Sequence, residues 1–346
     1  MELKAAFNEL VGNLALRERL RDDICANRLS HAYILEGVSG SGKHTLARSI
    51  AAALACLHRH TDGEPLPCGS CPACKKILSG NSPDLITVNR GEKATFGIEA
   101  IRTMQSDVYI APNECEDKIY LIEEAHLMTV QAQNAFLLTL EEPPAYVRFF
   151  LLCESASSLL ETVRSRAPTL RMEQLSSEAI GAYLQKNEPA ARSLLAQSPQ
   201  ELSELLAAAD GSIGKAKQLL DPKLRKPIME QRAAARVLLD LCGDHHNSAA
   251  LLSFLNGLGT KRDEIIAQLN VILLCMRDLL LCKQTEQAPL CFFSDREEAL
   301  NRSYRFSAPE LMRICDSLCD VVDRLRMNAN VRLTMTHFAL QLGSLS

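Results

Sequence analysis

The chain has 346 residues and a formal net charge of −4 at pH 7, with 47% hydrophobic and 23% charged residues. This composition is that of an ordinary globular protein, and the length exceeds one ordinary core, so we expect two or three domains. The negative net charge argues against a protein that binds DNA by itself, because such binding depends on lysines and arginines that neutralise phosphates. No apolar run approaches the roughly 20 residues that span a bilayer, so we expect no membrane partner.

The cysteine content indicates the cellular compartment. The chain has 13 cysteines, and its first residues, MELK, lack the basic and then apolar pattern of a secretory signal. Without such a signal, cysteines are expected to stay reduced in the cytoplasm. We therefore expect a cytoplasmic protein with reduced thiols.

The first half of the chain alternates short apolar runs with segments of helical periodicity. The predicted strands are Ala32–Leu35, Leu85–Val88, Ile119–Ile122 and Phe149–Cys153, and the predicted helices are Leu46–Leu57, Ile98–Val108 and Val130–Leu140. Strands that alternate with helices form a mostly parallel sheet covered on both faces. We therefore predict an α/β domain over residues 1–173.

The second half of the chain carries only helical signals. Ser177–Leu220 has the pattern of several short helices, and Asp221-Pro222 resembles a linker. The rest is nearly all helical, with apolar stripes at Ala267–Leu281 and Leu311–Leu325. We predict a small helical domain over residues 174–221 and an all-α domain over residues 222–346.

A phosphate-binding loop follows the first predicted strand. Residues 37–44 read GVSGSGKH, close to the pattern G-x-x-x-x-G-K-[ST]. In that pattern backbone N–H groups close on phosphate oxygens, the lysine reaches the outer phosphates, and the last hydroxyl holds Mg²⁺. Here His44 replaces the hydroxyl, and Thr45 lies about 100° further round the helix. The loop is compatible with ATP or ADP, whereas the substitution disfavours Mg²⁺ and hydrolysis.

A cysteine cluster follows the helix after this loop. Three thiols lie within seven residues in a C-x₂-C-x₂-C arrangement, and a fourth lies upstream beyond a loop rich in glycine and proline. Zn²⁺ takes four tetrahedral ligands, often thiolates in such pairs, so we expect a structural zinc site. A redox C-x-x-C or three unrelated buried thiols fit the repeated interval less well. The predicted ligands are Cys56, Cys68, Cys71 and Cys74, with His58 and His60 as rivals for the fourth position.

Two carboxylates follow the third predicted strand, at Glu123 and Glu124. In P-loop ATPases this position holds the acid that binds Mg²⁺ and the acid that activates water. An acidic pair after a strand is otherwise a solvated strand end. Because the pair follows a phosphate loop, we interpret it as part of an ATP site, working or relic. The predicted nucleotide-site residues are Gly37, Gly40, Gly42, Lys43, His44, Thr45, Glu123 and Glu124.

An exposed arginine follows the fourth predicted strand, in Ser165-Arg166. It is either a plain surface arginine or an arginine finger. A finger reaches the γ-phosphate of a neighbouring subunit and stabilises the charge of the transition state.

The order of these motifs resembles that of bacterial DNA polymerase III clamp-loader subunits of the AAA+ class, and within them the delta-prime type. The motifs are FNELVG at 7–12, HAYIL at 31–35, the phosphate loop, the cysteine triplet, IEAIR at 98–102, NAFLLTLEEPP at 134–144, and Ser165-Arg166. The resemblance covers essentially the whole chain. It implies an AAA+ domain with a zinc module inserted at residues 56–74, a helical lid domain, and an all-α collar domain.

The gamma/tau subunits are the ATP-hydrolysing motors of the same family, and three positions depart from them. His44 replaces the metal-holding hydroxyl, Gly214 stands where the motor carries a sensor arginine, and Glu154-Ser155 stands where it carries a threonine sensor. Delta-prime subunits are inert stators that keep the Ser-Arg finger, so the resemblance implies that Arg166, beside Ser165, acts on a neighbour. The usual Ser-Arg-Cys reads Ser-Arg-Ala here, without loss of the charged group.

The resemblance also implies partners. The C-terminal helices would join gamma/tau and delta subunits in a five-membered collar, and the assembly would place a sliding clamp on primed DNA. An active ATPase of the gamma/tau type is the alternative, which Lys43, Glu123 and Glu124 favour. A separate zinc-containing nucleic-acid binder is disfavoured by the negative charge and by the absence of tryptophan or interleaved aromatic residues.

Overall fold

The computed structural model describes residues 7, 10–59, 65–91, 95–242, 248–259, 261–285 and 290–344. The chain forms two compact units. The first takes residues 1–175 and 212–214, and the second takes residues 176–211 and 215–346. The division into three domains stays a prediction.

The first unit contains a five-stranded sheet. Its strands are β1 (Ala32–Glu36), β2 (Leu85–Val88), β3 (Lys118–Ile122), β4 (Val147–Cys153) and β5 (Thr169–Arg171). They lie in the order β2-β3-β4-β1-β5, and each neighbouring pair is parallel. All four predicted strands are present. The sequence did not predict β5, since three residues are too short to show a period of two.

The helices of this unit connect the strands. They are α1 (Leu14–Cys25), α2 (Lys43–Leu54), α3 (Pro72–Leu78), α4 (Ile98–Val108), α5 (Val130–Glu141) and α6 (Glu161–Arg164). The prediction of a helix over Leu46–Leu57 was displaced by three residues. The helix begins at Lys43, the lysine of the phosphate loop. After Ala55 the chain turns, so that Cys56 lies outside the helix.

Both faces of the sheet are buried. Along β4, Phe149 and Leu151 enter one apolar cluster, and Phe150 and Leu152 enter another. This is the period of two that a strand imposes on its side chains. Because both faces are covered, the strands appear in the sequence as continuous apolar runs. The predicted α/β class is confirmed.

The second unit is helical, as predicted. Its helices are α7 (Ser177–Asn187), α8 (Pro189–Gln197), α9 (Pro199–Ala208), α10 (Ile213–Leu219, whose first two residues belong to the first unit), α11 (Pro222–Cys242), α12 (Ser248–Gly257), α13 (Arg262–Gln284), α14 (Arg296–Ser303), α15 (Ala308–Arg326) and α16 (Val331–Ser344). Pro222 is the first residue of α11, a position that proline favours, so the predicted linker is a short turn between α10 and α11.

The core of the second unit is built around α13, which packs against α11, α14 and α15. This helix has 23 residues and a mean hydropathy of 1.9 in its most apolar window, enough by length and composition to cross a membrane. It is the one such helix in the described part of the chain, and it corrects the expectation that no apolar run approaches that length. Asp278 within it is fully buried and accepts hydrogen bonds from the backbone N–H groups of Cys291, Phe292 and Phe293. These contacts are those of a core helix.

Replacing Phe149 by alanine should destabilise the first unit. Phe149 is fully buried, with its ring centroid 5.5 Å from that of Tyr120 and 5.1 Å from that of Phe136. The cavity should lower the free energy of unfolding by about 3–5 kcal/mol, measured by denaturant titration. Leu138→Ala is the matched control, because Leu138 is 75% exposed. An unchanged transition in Phe149→Ala would contradict this packing.

Candidate functional site

The phosphate loop lies between β1 and α2. Gly40 and Gly42 have φ angles of 73° and 97°, which only glycine adopts without strain. Gly42 is the N-cap of α2, so the first turn of this 12-residue helix points its free N–H groups toward the loop. The arrangement is that of an anion site at a helix N-terminus.

The Lys43 side chain is turned onto its own loop. Its ammonium donates hydrogen bonds to the carbonyl oxygens of Gly37, at 2.5 Å, and Val38, at 2.8 Å. Lys43 is 9% exposed, and this burial lowers the pKa of its ammonium, against the opposing effects of Glu154 and Cys153. To reach a phosphate, the ammonium would have to leave these two carbonyl groups.

His44 faces the acid at the end of β3. Its Nδ1 lies 3.3 Å from Oε1 of Glu123, and half of its side chain is exposed. The structure therefore brings together two residues of the predicted nucleotide site, and they contact each other. An imidazole offers no oxygen, the ligand that Mg²⁺ prefers. Thr45 is half-buried in the first turn of α2.

The second acid is paired as well. Glu124 has a φ of 48°, and its Oε2 lies 2.7 Å from Nε of Arg90. Sequence reasoning missed Arg90. The strand register held the signal, because Val88 of β2 pairs with Ile122 of β3, and Arg90 and Glu124 each follow two residues later. The predicted water-activating acid is thus held by a cation.

The segment at residues 212–214 closes over the phosphate loop, and all of these residues belong to the first unit. Ser212 Oγ donates to the carbonyl of Ser39 at 2.9 Å, and the N–H of Gly214 donates to the carbonyl of Gly40 at 3.0 Å. A Cβ atom at position 214 would lie 2.7 Å from the Cα of Gly40. No side chain fits at position 214 unless the loop moves.

The four predicted cysteines come together. The Sγ atoms of Cys56, Cys68, Cys71 and Cys74 all lie within 4.8 Å of one another, and those of Cys68 and Cys74 are 3.9 Å apart. A zinc–sulfur bond of about 2.3 Å places tetrahedral sulfurs about 3.8 Å apart. The donor set therefore fits a thiolate-bound metal. His58 is not part of this group, and His60 lies outside the described residues.

Local hydrogen bonds favour a thiolate at Cys68, whereas burial raises the pKa of the Cys56 and Cys74 thiols. Cys71 is the N-cap of α3, and its Sγ accepts from the N–H of Cys74 at 3.4 Å. Burial raises the pKa of the Cys68 thiol, but hydrogen bonds from Ser70 Oγ and the N–H of Cys71 lower it to about 6. A thiolate is the form that binds metal.

The Ser165-Arg166 pair follows α6 at the surface. Ser165 Oγ donates to the carbonyl of Thr162 at 3.1 Å, and Arg166 Nη1 donates to the same carbonyl at 2.9 Å. Arg166 Nη2 lies 2.6 Å from Oε1 of Glu141, the last residue of α5. Sequence reasoning missed Glu141, which lies 25 residues away in the chain.

These features define the class of the first unit. A parallel sheet, a phosphate loop after β1 and an acidic pair after β3 form an α/β P-loop domain, with a cysteine cluster inserted after α2.

Comparison with known proteins shows which proteins part of this chain resembles. Residues 12–176 match the family described as DNA polymerase III, delta subunit. Subunit tau of DNA polymerase III from Bacillus subtilis (strain 168) is 32% identical over 215 residues, which are 62% of this chain and 37% of that protein. The tau subunit of Salmonella typhimurium is 34% identical over 217 residues, or 62% of this chain and 32% of that protein. This part of the chain is similar in sequence to delta and tau subunits of DNA polymerase III.

The solved structure of a gamma subunit-related protein from Thermotoga maritima is also similar. It is 16% identical, with a TM-score of 0.39, over 94% of this chain and 98% of that one. The chain spans only 37% and 32% of the two tau subunits.

Metal content tests the cysteine cluster. The purified chain should carry one zinc per molecule by elemental analysis, and Cys74→Ser should lose it, because three thiolates bind zinc much more weakly than four. Cys319→Ser is the control, since Cys319 is exposed on α15 and outside the cluster. A zinc-free wild-type chain, purified without chelator, would contradict the assignment.

Proposed function

We propose that this chain is a delta-prime-type subunit of a cytoplasmic DNA polymerase III clamp loader. It acts as a stator that hydrolyses little or no ATP itself and presents Arg166 to the ATP site of a neighbouring subunit. The contact between His44 and Glu123 carries this proposal, because it fills the position where a motor subunit holds Mg²⁺.

Three further contacts support the inactive role. The Lys43 ammonium binds carbonyl groups of its own loop, and Glu124 is paired with Arg90. At the position of the motor's sensor arginine, Gly214 lies against Gly40 with no room for a side chain. Each group that hydrolysis needs is therefore engaged elsewhere or missing. A nucleotide could still bind to the loop N–H groups without being hydrolysed.

The role of Arg166 is electrostatic. A guanidinium keeps its charge at any physiological pH and can contact two phosphate oxygens at once. In this class of reaction such a group, held in place, is worth about 10³–10⁵ in rate. The Arg166 side chain is 35% exposed at the surface of the first unit, where a neighbour can approach it.

The second unit is the proposed site of contact with gamma/tau and delta subunits. The predicted stripe over Leu311–Leu325 is buried in the core, so it does not provide this surface. α16 does, because Leu333 and Leu340 are 72% and 66% exposed and lie two turns apart on one face. The sliding clamp and primed DNA would be contacted through the assembly, in line with a net charge of −4. The bound metal would be a structural zinc.

Replacing Arg166 by alanine tests the stator role. The variant should still assemble with the gamma/tau and delta subunits of its own organism, measured by gel filtration. ATP turnover at the one site that receives Arg166 should fall by about 10³-fold or more, because the transition-state charge loses its partner. A coupled phosphate-release assay with clamp and primed DNA measures this loss.

Arg164→Ala is the matched control, since Arg164 is an exposed arginine two residues away at the end of α6. It should leave both assembly and turnover unchanged. Full turnover by a complex that has assembled with Arg166→Ala would refute the finger role.

A further inference from the structure

We propose that Glu141 is a positioning residue. It binds the Arg166 guanidinium until the phosphates of the neighbouring ATP site displace the Glu141 carboxylate. This inference rests on the finger role proposed above, and it adds an ion pair that regulates when the finger acts. The observation behind it is that the finger is already bound to an anion of its own chain.

The guanidinium of Arg166 is largely engaged. Nη2 donates to Oε1 of Glu141 at 2.6 Å, and Nη1 donates to the carbonyl of Thr162 at 2.9 Å and to Oγ of Ser165 at 3.4 Å. An arginine has five N–H donors, and these contacts use three of them. Both edges of the guanidinium that offer two parallel N–H groups include Nη2, so a phosphate that binds in this way approaches the nitrogen that Glu141 already holds.

The backbone around both partners is fixed, so only side chains need to move. The N–H of Arg166 donates to the carbonyl of Val163 at 3.1 Å, and the adjacent Ala167 is fully buried. Glu141 ends α5 just before Glu142 and two prolines, which prevent the helix from continuing. The C-terminal end of a helix carries partial negative charge. The electrostatic potential around Glu141 is therefore negative, and it opposes the approach of a phosphate until the guanidinium swings away from Glu141.

The exposure of the pair makes it reversible. The side chains of Arg166 and Glu141 are 35% and 44% exposed. Ion pairs with this exposure are weak, because water screens them and both side chains lose freedom. A neighbouring triphosphate, with several charges, can therefore displace one carboxylate. A buried pair would hold the finger permanently.

Glu141→Gln tests this arrangement, because it removes the charge and keeps the shape of the side chain. In the complex assembled with gamma/tau and delta subunits, ATP turnover without clamp or DNA should rise about two- to fivefold, the range that an exposed ion pair supplies. Turnover with clamp and primed DNA should change less. Glu142→Gln is the control, since Glu142 is the exposed neighbour of Glu141, and it should leave both rates unchanged.

A second measurement uses the isolated full chain and does not depend on the finger role. Phenylglyoxal should modify Arg166 faster in Glu141→Gln than in the wild-type chain, with the modification of Arg164 as the internal reference, followed by peptide mass spectrometry. Equal rates would overturn the pairing. If ATP turnover without clamp or DNA is unchanged or lower in Glu141→Gln, while Arg166→Ala still lowers turnover, the proposed role of Glu141 is wrong and the finger role stands. Normal turnover in Arg166→Ala would overturn the finger role itself.

Discussion

The proposed role of the nucleotide site depends on the contact between His44 and Glu123. In a phosphate loop, a hydroxyl on the helix and an acid on the neighbouring strand normally meet at one Mg²⁺ ion. Here an imidazole and a carboxylate meet directly, with 3.3 Å between Nδ1 and Oε1. The loop keeps its glycines and the N-terminus of α2, so its geometry as an anion site survives. What it lacks is the hydroxyl that holds Mg²⁺ in the usual pattern.

Three other charged residues of the predicted site are also bound within the chain. Lys43 is bound to carbonyl groups, Glu124 to Arg90, and Arg166 to Glu141. The pairs differ in burial, and the roles that we propose for them follow from this difference. Lys43 is almost fully buried against its own loop, whereas the pair at Arg166 is exposed and can exchange its partner. Of these paired cations, Arg166 is therefore the one that we propose to act on another molecule.

Local patterns were sufficient to predict much of this arrangement. The strands, the phosphate loop and the four cysteines each have a signature within a few residues, and the structure brings them together as expected. The partners of Glu124, Arg166 and Gly40 were not predictable in this way, because each lies on a distant segment. Glu141 reaches Arg166 through the packing of α5 against α6, and Gly214, near the start of α10, lies against Gly40. Only Arg90 could have been found, through the register of β2 and β3.

The central claim, that this chain cannot assemble the magnesium site needed to hydrolyse ATP, is tested most directly by phosphate release. The purified chain is incubated alone with Mg·ATP, and Lys43→Ala serves as the matched variant. We expect no steady phosphate release above the background, and the same trace for both proteins. Steady release by the wild-type chain that Lys43→Ala abolishes would contradict the claim, and would make this chain an ATPase of the gamma/tau type.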